Sequence, residues 1–272
     1  MTKNVAEEPN SGEEAEQGST EGRLSSVTAA IRVLKVFSEE EPEIGISNLA
    51  KRLKLAKSTT HRLATTLLAE GLLEQNTENG RYRLGLELFA LGALVRRRID
   101  VSNQALPFLH VLRERTDETV HLAILDNTSI IYLFNLESNQ AIRMRSYIGV
   151  RKPAFCTSEG QVLLAYSTPD AISRVIKEGL VARTPKTNTN STVLLKTLEK
   201  VRIDGFSLDD EESELGMRGV AAPVRDITGS VVAAISIGGP TQRLTKKSLR
   251  GFTPLLLNAA EGISTRLGYR MP

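Results

Sequence analysis

The segment from Ile46 to Gly71, ISNLAKRLKLAKSTTHRLATTLLAEG, constrains this chain most, because it reads as two helices joined by a tight break. Ser47 is a candidate N-cap for a short helix with Leu49, Ala50 and Leu53 on its apolar face. A break around Lys54 to Ala56 leads into a longer helix. There Leu63, Leu67 and Leu68 recur at helical spacing, and Gly71 supplies a left-handed stop. The N-terminal end of this second helix carries Lys57, Ser58, Thr59, Thr60, His61 and Arg62. These are short hydroxyls and cations, which reach base edges and phosphates without filling a groove. Lys51, Arg52, Lys54, Lys57 and Arg62 follow one another with no acid between them. The pattern predicts a helix-turn-helix, although a basic helix face is more often simply a solvated one.

The flanking segments decide between those readings. Leu72 to Glu74 restarts as a strand, Thr77-Glu78-Asn79-Gly80 supplies an Asn-Gly turn, and Arg81-Tyr82-Arg83-Leu84 returns as the partner strand. A basic hairpin after a recognition helix is a wing, with Arg81, Tyr82 and Arg83 placed to lie along phosphates or a minor groove. The preceding segment, Ser25 to Glu39, carries Val27, Ile31, Leu34 and Phe37 at helical spacing and offers the third side of a core. The expected domain is a winged helix-turn-helix over residues 23–86, with the helix-turn-helix at about 47–70.

Length and charge fit two folded units with such a partner. At 272 residues the chain can build two cores. Six glutamates face one lysine in the first 22 residues, so that segment reads as a disordered acidic tail. The formal net charge of +3 therefore hides +8 on the remainder, a basic balance suited to nucleic acid. No apolar run reaches membrane-spanning length and no signal-peptide h-region precedes the fold, which predicts a cytoplasmic protein with no membrane partner. Cys156 is the sole cysteine, so neither an internal disulfide nor a cysteine-rich zinc module is available. With no tryptophan and 4% aromatics, a base-stacking platform for single strands or RNA is not expected.

Leu86 to Arg98 reads as an amphipathic helix (Leu88, Leu91, Leu94, Val95), a linker over residues 87–99. Residues 100–270 alternate differently. Ala105 to Arg115 is helical, Thr119 to Leu125 alternates as a strand, Ile130 to Leu136 follows as a second, and Ala141 to Tyr147 reads as a third. Helices are expected at Val162 to Tyr166, Ala171 to Glu178, Leu194 to Ile203 and Phe252 to Leu267, with strands at Gly219 to Val224 and Ser230 to Ile237. The order indicates an α+β domain on an antiparallel sheet.

Catalytic patterns are missing from it: His61, His110 and His121 lie in different predicted elements, and no H-x-E, HExxH, P-loop or G-x-S-x-G pattern occurs. No enzyme, metal or cofactor is expected. Cys156 could be a reactive thiol if its thiolate were stabilised, with Arg151 and Lys152 nearby in sequence; a lone near-core cysteine is more often inert. Three segments look instead like a small-anion pocket: Phe155 to Gly160 before a helix, Leu208 to Gly219, and Ser236 to Pro240. Donors at the helix start would hold a carboxylate and Asp209 would accept from hydroxyls, unless the acids are a solvated loop and the glycines only turns.

Taken in order, these segments resemble the IclR family of bacterial transcription regulators. The resemblance rests on Ser58-Thr59-Thr60-His61-Arg62-Leu63 with Thr65-Thr66-Leu67 and Gly71, Arg81-Tyr82-Arg83-Leu84-Gly85, and Gly149 with Pro153. It continues through Gly160 to Ala165, Asp209 to Glu212 with Gly216-Met217-Arg218, Ala221 to Val224, and Ala233 to Ser236, spanning about Leu24 to Tyr269. Glu118 to Leu122, Ser129 to Tyr132, Ala141 to Met144, Tyr147 to Gly149 and Leu267-Gly268-Tyr269 are similar to its KdgR-type subgroup, repressors of pectin and hexuronate catabolism responding to 2-keto-3-deoxygluconate.

The resemblance implies a GAF-like effector-binding domain after the winged helix, and dimers or dimers of dimers on operator DNA. It implies effector contacts at Ser158, Glu159, Asp209, Gly219, Ser236 and Gly238. The chain departs from the family at Gln161 in place of lysine, Glu159 in place of a small residue, and Phe155 in place of histidine; Gly219 and Gly238 stand where some members have contacting side chains. The implied function is a sequence-specific regulator, a repressor of sugar-acid genes relieved by a small carboxylic or keto-sugar acid. The alternatives are an activator of aromatic- or organic-acid catabolism and a thiol sensor acting through Cys156.

Overall fold

Three helices, a short hairpin and a further helix make up the first of two units, Met1–Arg98, the second being Ile99–Pro272. The computed structural model describes residues 17–98 and 101–270. The expected acidic tail lies, for residues 1–16, outside the described residues, while helix α1 (Gln17–Leu34) already includes 17–22. α1 stops five residues before Glu39, and its apolar residues divide otherwise than expected. Val33 is fully buried, with Leu34 and Phe37 packed beside it, whereas Val27 and Ile31 are 61% and 46% exposed.

Helix α2 (Ile46–Leu53) starts two residues earlier than the candidate cap allows; Gly45 occupies the N-cap, and Ser47 is already helical. Lys54, at φ 55°, makes the sharp break before α3 (Lys57–Ala69). Arg32 of α1 donates to Leu53 O at 3.1 Å, which satisfies a carbonyl at the C-terminal end of α2. Gly71 adopts φ +68° just after α3. Strands β1 (Leu73–Gln75) and β2 (Tyr82–Leu84) pair antiparallel, and Ile44 bridges to Tyr82 on the outer side. Ile44, Leu49, Leu53, Ala64, Leu67, Leu73 and Tyr82 converge with Val33 into one core. Helix α4 (Leu86–Arg98) follows, with Leu86, Phe89, Leu91, Leu94 and Val95 exposed.

The second unit is an α+β fold on a six-stranded antiparallel sheet in the order β5-β4-β3-β8-β7-β6. The strands are β3 (Thr119–Asp126), β4 (Ser129–Leu136), β5 (Arg151–Pro153), β6 (Ser207–Asp210), β7 (Met217–Arg225) and β8 (Val231–Pro240). Alternation splits their side chains between two cores. Val120, Leu122, Val220, Ala222, Ile235 and Ile237 pack against α5 (Val101–Thr116) and α9 (Lys246–Arg266) through Leu109, Leu112, Leu256 and Ile263. Ala123, Tyr132, Ala221 and Ala234 face the opposite core with α6 (Ser158–Ala165), α7 (Pro169–Glu178) and α8 (Ser191–Asp204).

Two expectations fail here. Ala141 to Tyr147 is not a strand; it pairs with nothing in the sheet and runs as loop, turning Met144 and Ser146 inward. The strand at that edge is Arg151–Pro153, and β6 at the other edge was not foreseen. Among the described residues no helix is long and apolar enough to cross a membrane.

A candidate nucleic-acid interface and a candidate effector cavity

On the N-terminal unit the candidate interface begins with α3. Successive helical residues are rotated by about 100°, so six consecutive side chains cannot share a face. Lys57, Ser58, His61 and Arg62 are exposed, Thr59 is half-buried, and Thr65 and Thr66 extend the exposed face. Thr60 falls on the inner face with Ala64 and Leu67, wholly buried, its hydroxyl donating to Ala56 O at 3.1 Å. It cannot read a base, which corrects the sequence expectation. Tyr82 is corrected likewise: 3% exposed, it points into the core between two outward arginines. Arg81 is exposed, but Arg83 is engaged, with its Nε donating to Glu74 at 2.9 Å and its guanidinium 3.7 Å from Glu43. Lys51 is exposed on α2, while Arg52 is paired with Glu41.

In the second unit the sheet register builds the candidate cavity. Across β6, β7, β8 and β3, Asp209, Gly219, Gly238 and Thr119 form one row, and Ser207, Ala221, Ser236 and His121 the next. All eight lie on the side facing α6, because neighbours in a row share a face. The first row has two glycines at its centre. A Cβ on Gly219 would meet Ser158 Oγ at 3.2 Å, and one on Gly238 would meet Met144 Sδ at 3.2 Å. A bulge where β3 meets β4 shifts the register between Leu122 and Ala123. Tyr132 thereby reaches the cavity side and stacks on His121 with centroids 4.3 Å apart.

The fourth wall is the start of α6. Thr157 caps it, accepting from Gly160 N at 3.3 Å. Gly160 is obligatory, since a Cβ there would lie 2.1 Å from Ala154 O. Gln161 ties the helix to the sheet, donating to Phe155 O at 3.1 Å and accepting from Ser207 Oγ at 2.6 Å. The resulting cavity is small, about 10 Å³, and Ser158, Glu159, Asp209, Gly219, Ser236 and Gly238 all line it. His121, Tyr132, Met144 and Lys152 line it too, none of them proposed from the sequence. Strand alternation carried the signal for His121, which sits opposite Val120 and Leu122.

The electrostatics of this cavity are acidic. Glu159 accepts from Ser236 Oγ at 2.6 Å and Ser158 Oγ at 3.2 Å, with His121 Nδ1 3.6 Å away. Burial pushes His121 down to about 4 despite that carboxylate, so the ring is neutral at pH 7. Ser146 donates to Asn135 Oδ1 at 3.0 Å, which leaves His121 Nε2–H to donate to Ser146 Oγ at 2.5 Å. Asp209 accepts from Glu212 N at 2.8 Å and from Ser213, yet burial raises it to about 6. The helix start expected to hold a ligand carboxylate carries Glu159 in its first turn, where it accepts from the hydroxyls of Ser158 and Ser236.

Cys156 is fully buried, and burial pushes its thiol up to about 12. At neutral pH it carries no thiolate, which removes the chemical basis of a thiol sensor.

Residues 26–77 match the IclR helix-turn-helix domain, and residues 93–265 match the bacterial transcriptional regulator IclR C-terminal family. The HTH-type transcriptional regulator KdgR of Escherichia coli (strain K12) is 38% identical over 248 residues, covering 90% of this chain and 94% of that protein. The HTH-type transcriptional repressor AllR of Salmonella typhi is 33% identical, covering 89% of each. Among solved structures, an IclR homolog complexed with 4-hydroxybenzoate from Microbacterium hydrocarbonoxydans superposes with a TM-score of 0.79 at 27% identity, covering 89% of this chain and 98% of that one.

Proposed function

Because the chain belongs to the IclR family of bacterial transcriptional regulators, we propose that it represses sugar-acid catabolic genes of the pectin or hexuronate type and leaves its operator when a small hydroxylated acid fills the cavity. That it is a regulator of transcription and not an enzyme follows from the family. The repressor sense draws support from the KdgR and AllR relatives. The observation that carries the ligand class is the cavity itself: two buried carboxylates, Glu159 and Asp209, and the hydroxyls of Ser158 and Ser236 surround a floor opened by two glycines. Such a lining takes donors, as a polyol chain offers, rather than the apolar ring of an aromatic acid.

Lys51, Lys57, Arg62 and Arg81 hold phosphates in this reading, and Ser58, Thr59 and His61 read base edges, each good bidentate contact discriminating by about 1–3 kcal/mol. The chain acts as a homodimer or dimer of dimers in the cytoplasm, where its DNA is. The exposed apolar residues of α1 and α4, including Val27, Ile31, Phe89 and Leu94, offer the surface for assembly. A symmetric dimer then calls for a pseudo-palindrome with half-sites about 10 bp, or a multiple, apart. DNase footprinting of the DNA upstream of the gene, with and without sugar acids, tests the reading; protection that no sugar acid relieves would refute it.

Gly238→Leu sharpens the test. Its side chain would compete with Met144 for the cavity, so release from the operator by effector is expected to disappear while DNA affinity without effector changes less than threefold. Fluorescence anisotropy on operator DNA measures both. A Gly238→Leu protein that still responds normally would place the effector elsewhere.

A further inference from the structure

A second cavity of the C-terminal unit opens on the face of the sheet away from α6. It measures about 470 Å³ and lies where β6, the last turns of α8 and the first half of α9 meet. Helix α9 packs on β7 and β8, and the edge strand β6 lies beyond them. Leu208 stands opposite Val220, a member of the core under α5 and α9, yet it is 45% exposed. Phe206, on the same side, is half-buried. With Leu249 they make an apolar floor. The rim is cationic. Arg218 and Lys246 both hold Asp210, Lys246 at 2.9 Å, while Asp209 turns toward α6. Lys200 and Arg250 also line the groove, are exposed, and have no carboxylate partner among the described residues.

Floor and rim make different demands on an occupant. Phe206 and Leu208 lose their water only to an apolar body, and covering them is favourable in proportion to the area covered. Lys200 and Arg250 offer charge-assisted hydrogen bonds to an anionic head. A small anion such as acetate would leave the floor wet, and a neutral chain would leave the cations unused. A hydroxylated chain would gain nothing from Phe206 or Leu249. The volume falls within the roughly 300–1,000 Å³ of small-ligand sites. From Phe206 to Asp210 the wall runs about 13 Å at 3.3 Å per residue, room for an extended chain of about eight carbons with its head group. We propose that this groove is a second ligand site, which takes an amphipathic monoanion: an aliphatic chain laid on Phe206, Leu208 and Leu249, with its carboxylate on Lys200 and Arg250. The site is separate from the cavity against α6 and does not depend on the effector reading above.

Titration calorimetry on the full-length protein with octanoate, butanoate and 1-octanol separates the two halves of the claim. Octanoate is expected to bind at least tenfold more tightly than butanoate, which lacks four methylenes, each giving about fourfold when fully buried. It should also bind at least tenfold more tightly than octanol, which keeps the chain and lacks the charge. The double variant Lys200→Gln, Arg250→Gln should weaken octanoate about tenfold and leave octanol unchanged; both side chains are exposed, so their loss spares the core. Leu208→Gln should weaken octanoate and octanol alike, about fivefold. Equal affinities for octanoate and butanoate would remove the floor from the site. Undiminished octanoate binding by the double variant would remove the cations and place the chain elsewhere. No binding of octanoate at millimolar concentration would overturn the site outright. Sedimentation velocity of the same double variant covers the remaining occupant: a smaller oligomer with unchanged octanoate affinity would make the groove an interface between copies of this chain, and the proposal would fall.

Discussion

Replacing Lys57 and Arg62 together by alanine should weaken binding to any duplex by about a hundredfold or more at physiological salt, and flatten its salt dependence. Both side chains are exposed at the N-terminal half of α3, with no carboxylate partner among the described residues. Hydrogen bonds to charged groups contribute about 1.5–3 kcal/mol each, so two lost phosphate contacts correspond to at least about 3 kcal/mol. Each contact also releases condensed counterions, so the slope of log K against log salt should become shallower by about 1.8. Arg83→Ala is the internal contrast, because Arg83 already pairs with Glu74 and Glu43; its loss should cost less than threefold. Anisotropy titrations at several salt concentrations distinguish these. An unchanged slope for the double variant, or an equal loss for Arg83→Ala, would remove α3 from the duplex.

The basis of that prediction was visible in the sequence up to the point where geometry sorts neighbours. The helices, their break at Lys54 and the stop at Gly71 follow from apolar spacing and backbone chemistry. The block Lys57 to Arg62 was read as one polar face, yet Thr60 lies with Ala64 and Leu67 at i, i+4 and i+7. A threonine hides easily on an inner face, because its hydroxyl can bond a carbonyl one turn back. Tyr82 should have been assigned inward by alternation alone, since Arg81 and Arg83 flank it on the other side. Val27 and Ile31 show the opposite limit. Helical spacing reveals that an apolar face exists, not which surface covers it, and the unit closes its own core with Val33.

The second unit was harder to read where polarity inverts. β6 turns Ser207 and Asp209 inward and leaves Leu208 45% exposed, because this face of the sheet lines a polar cavity. The usual apolar-in pattern is therefore reversed, and the strand looked like the start of an acidic loop. β5 has three residues ending in Pro153, too few for any period to register. Residues 141–147 have strand-like composition but no neighbour left to pair with, and Met144 and Ser146 serve the cavity instead. All six positions suggested by family likeness line that cavity. Alternation alone sets His121 opposite Val120 and Leu122, whereas the register bulge that brings Tyr132 onto it leaves no mark in the sequence.

Those two buried rows carry titratable groups whose effects on stability oppose each other, and single substitutions should separate them. His121 falls from 6.5 to about 4 on folding, so the unfolded chain binds more protons between those values. Its contribution is complete above pH 6.5 and is lost as pH falls toward 4, about 3 kcal/mol in all at 1.36 kcal/mol per pH unit. Asp209 rises from 3.8 to about 6, so here the folded chain binds more protons. Its contribution is present below pH 3.8 and is lost as pH rises through 6, again about 3 kcal/mol. The two slopes nearly cancel between pH 4 and 6. Asp209→Asn keeps an Oδ1 acceptor for the amides of Glu212 and Ser213 and removes the buried charge. It should be more stable than the parent above pH 6.5, by on the order of 3 kcal/mol, and should lose that margin on acidification toward pH 4. His121→Gln should converge on the parent in the opposite direction, gaining relative stability as pH falls. Urea unfolding at half-unit pH steps, compared as variant minus parent, cancels the contributions of all other groups. Parallel curves for parent and Asp209→Asn from pH 4 to 7.5 would mean that Asp209 ionises in the folded protein as freely as in water, and that the cavity floor is wet rather than closed.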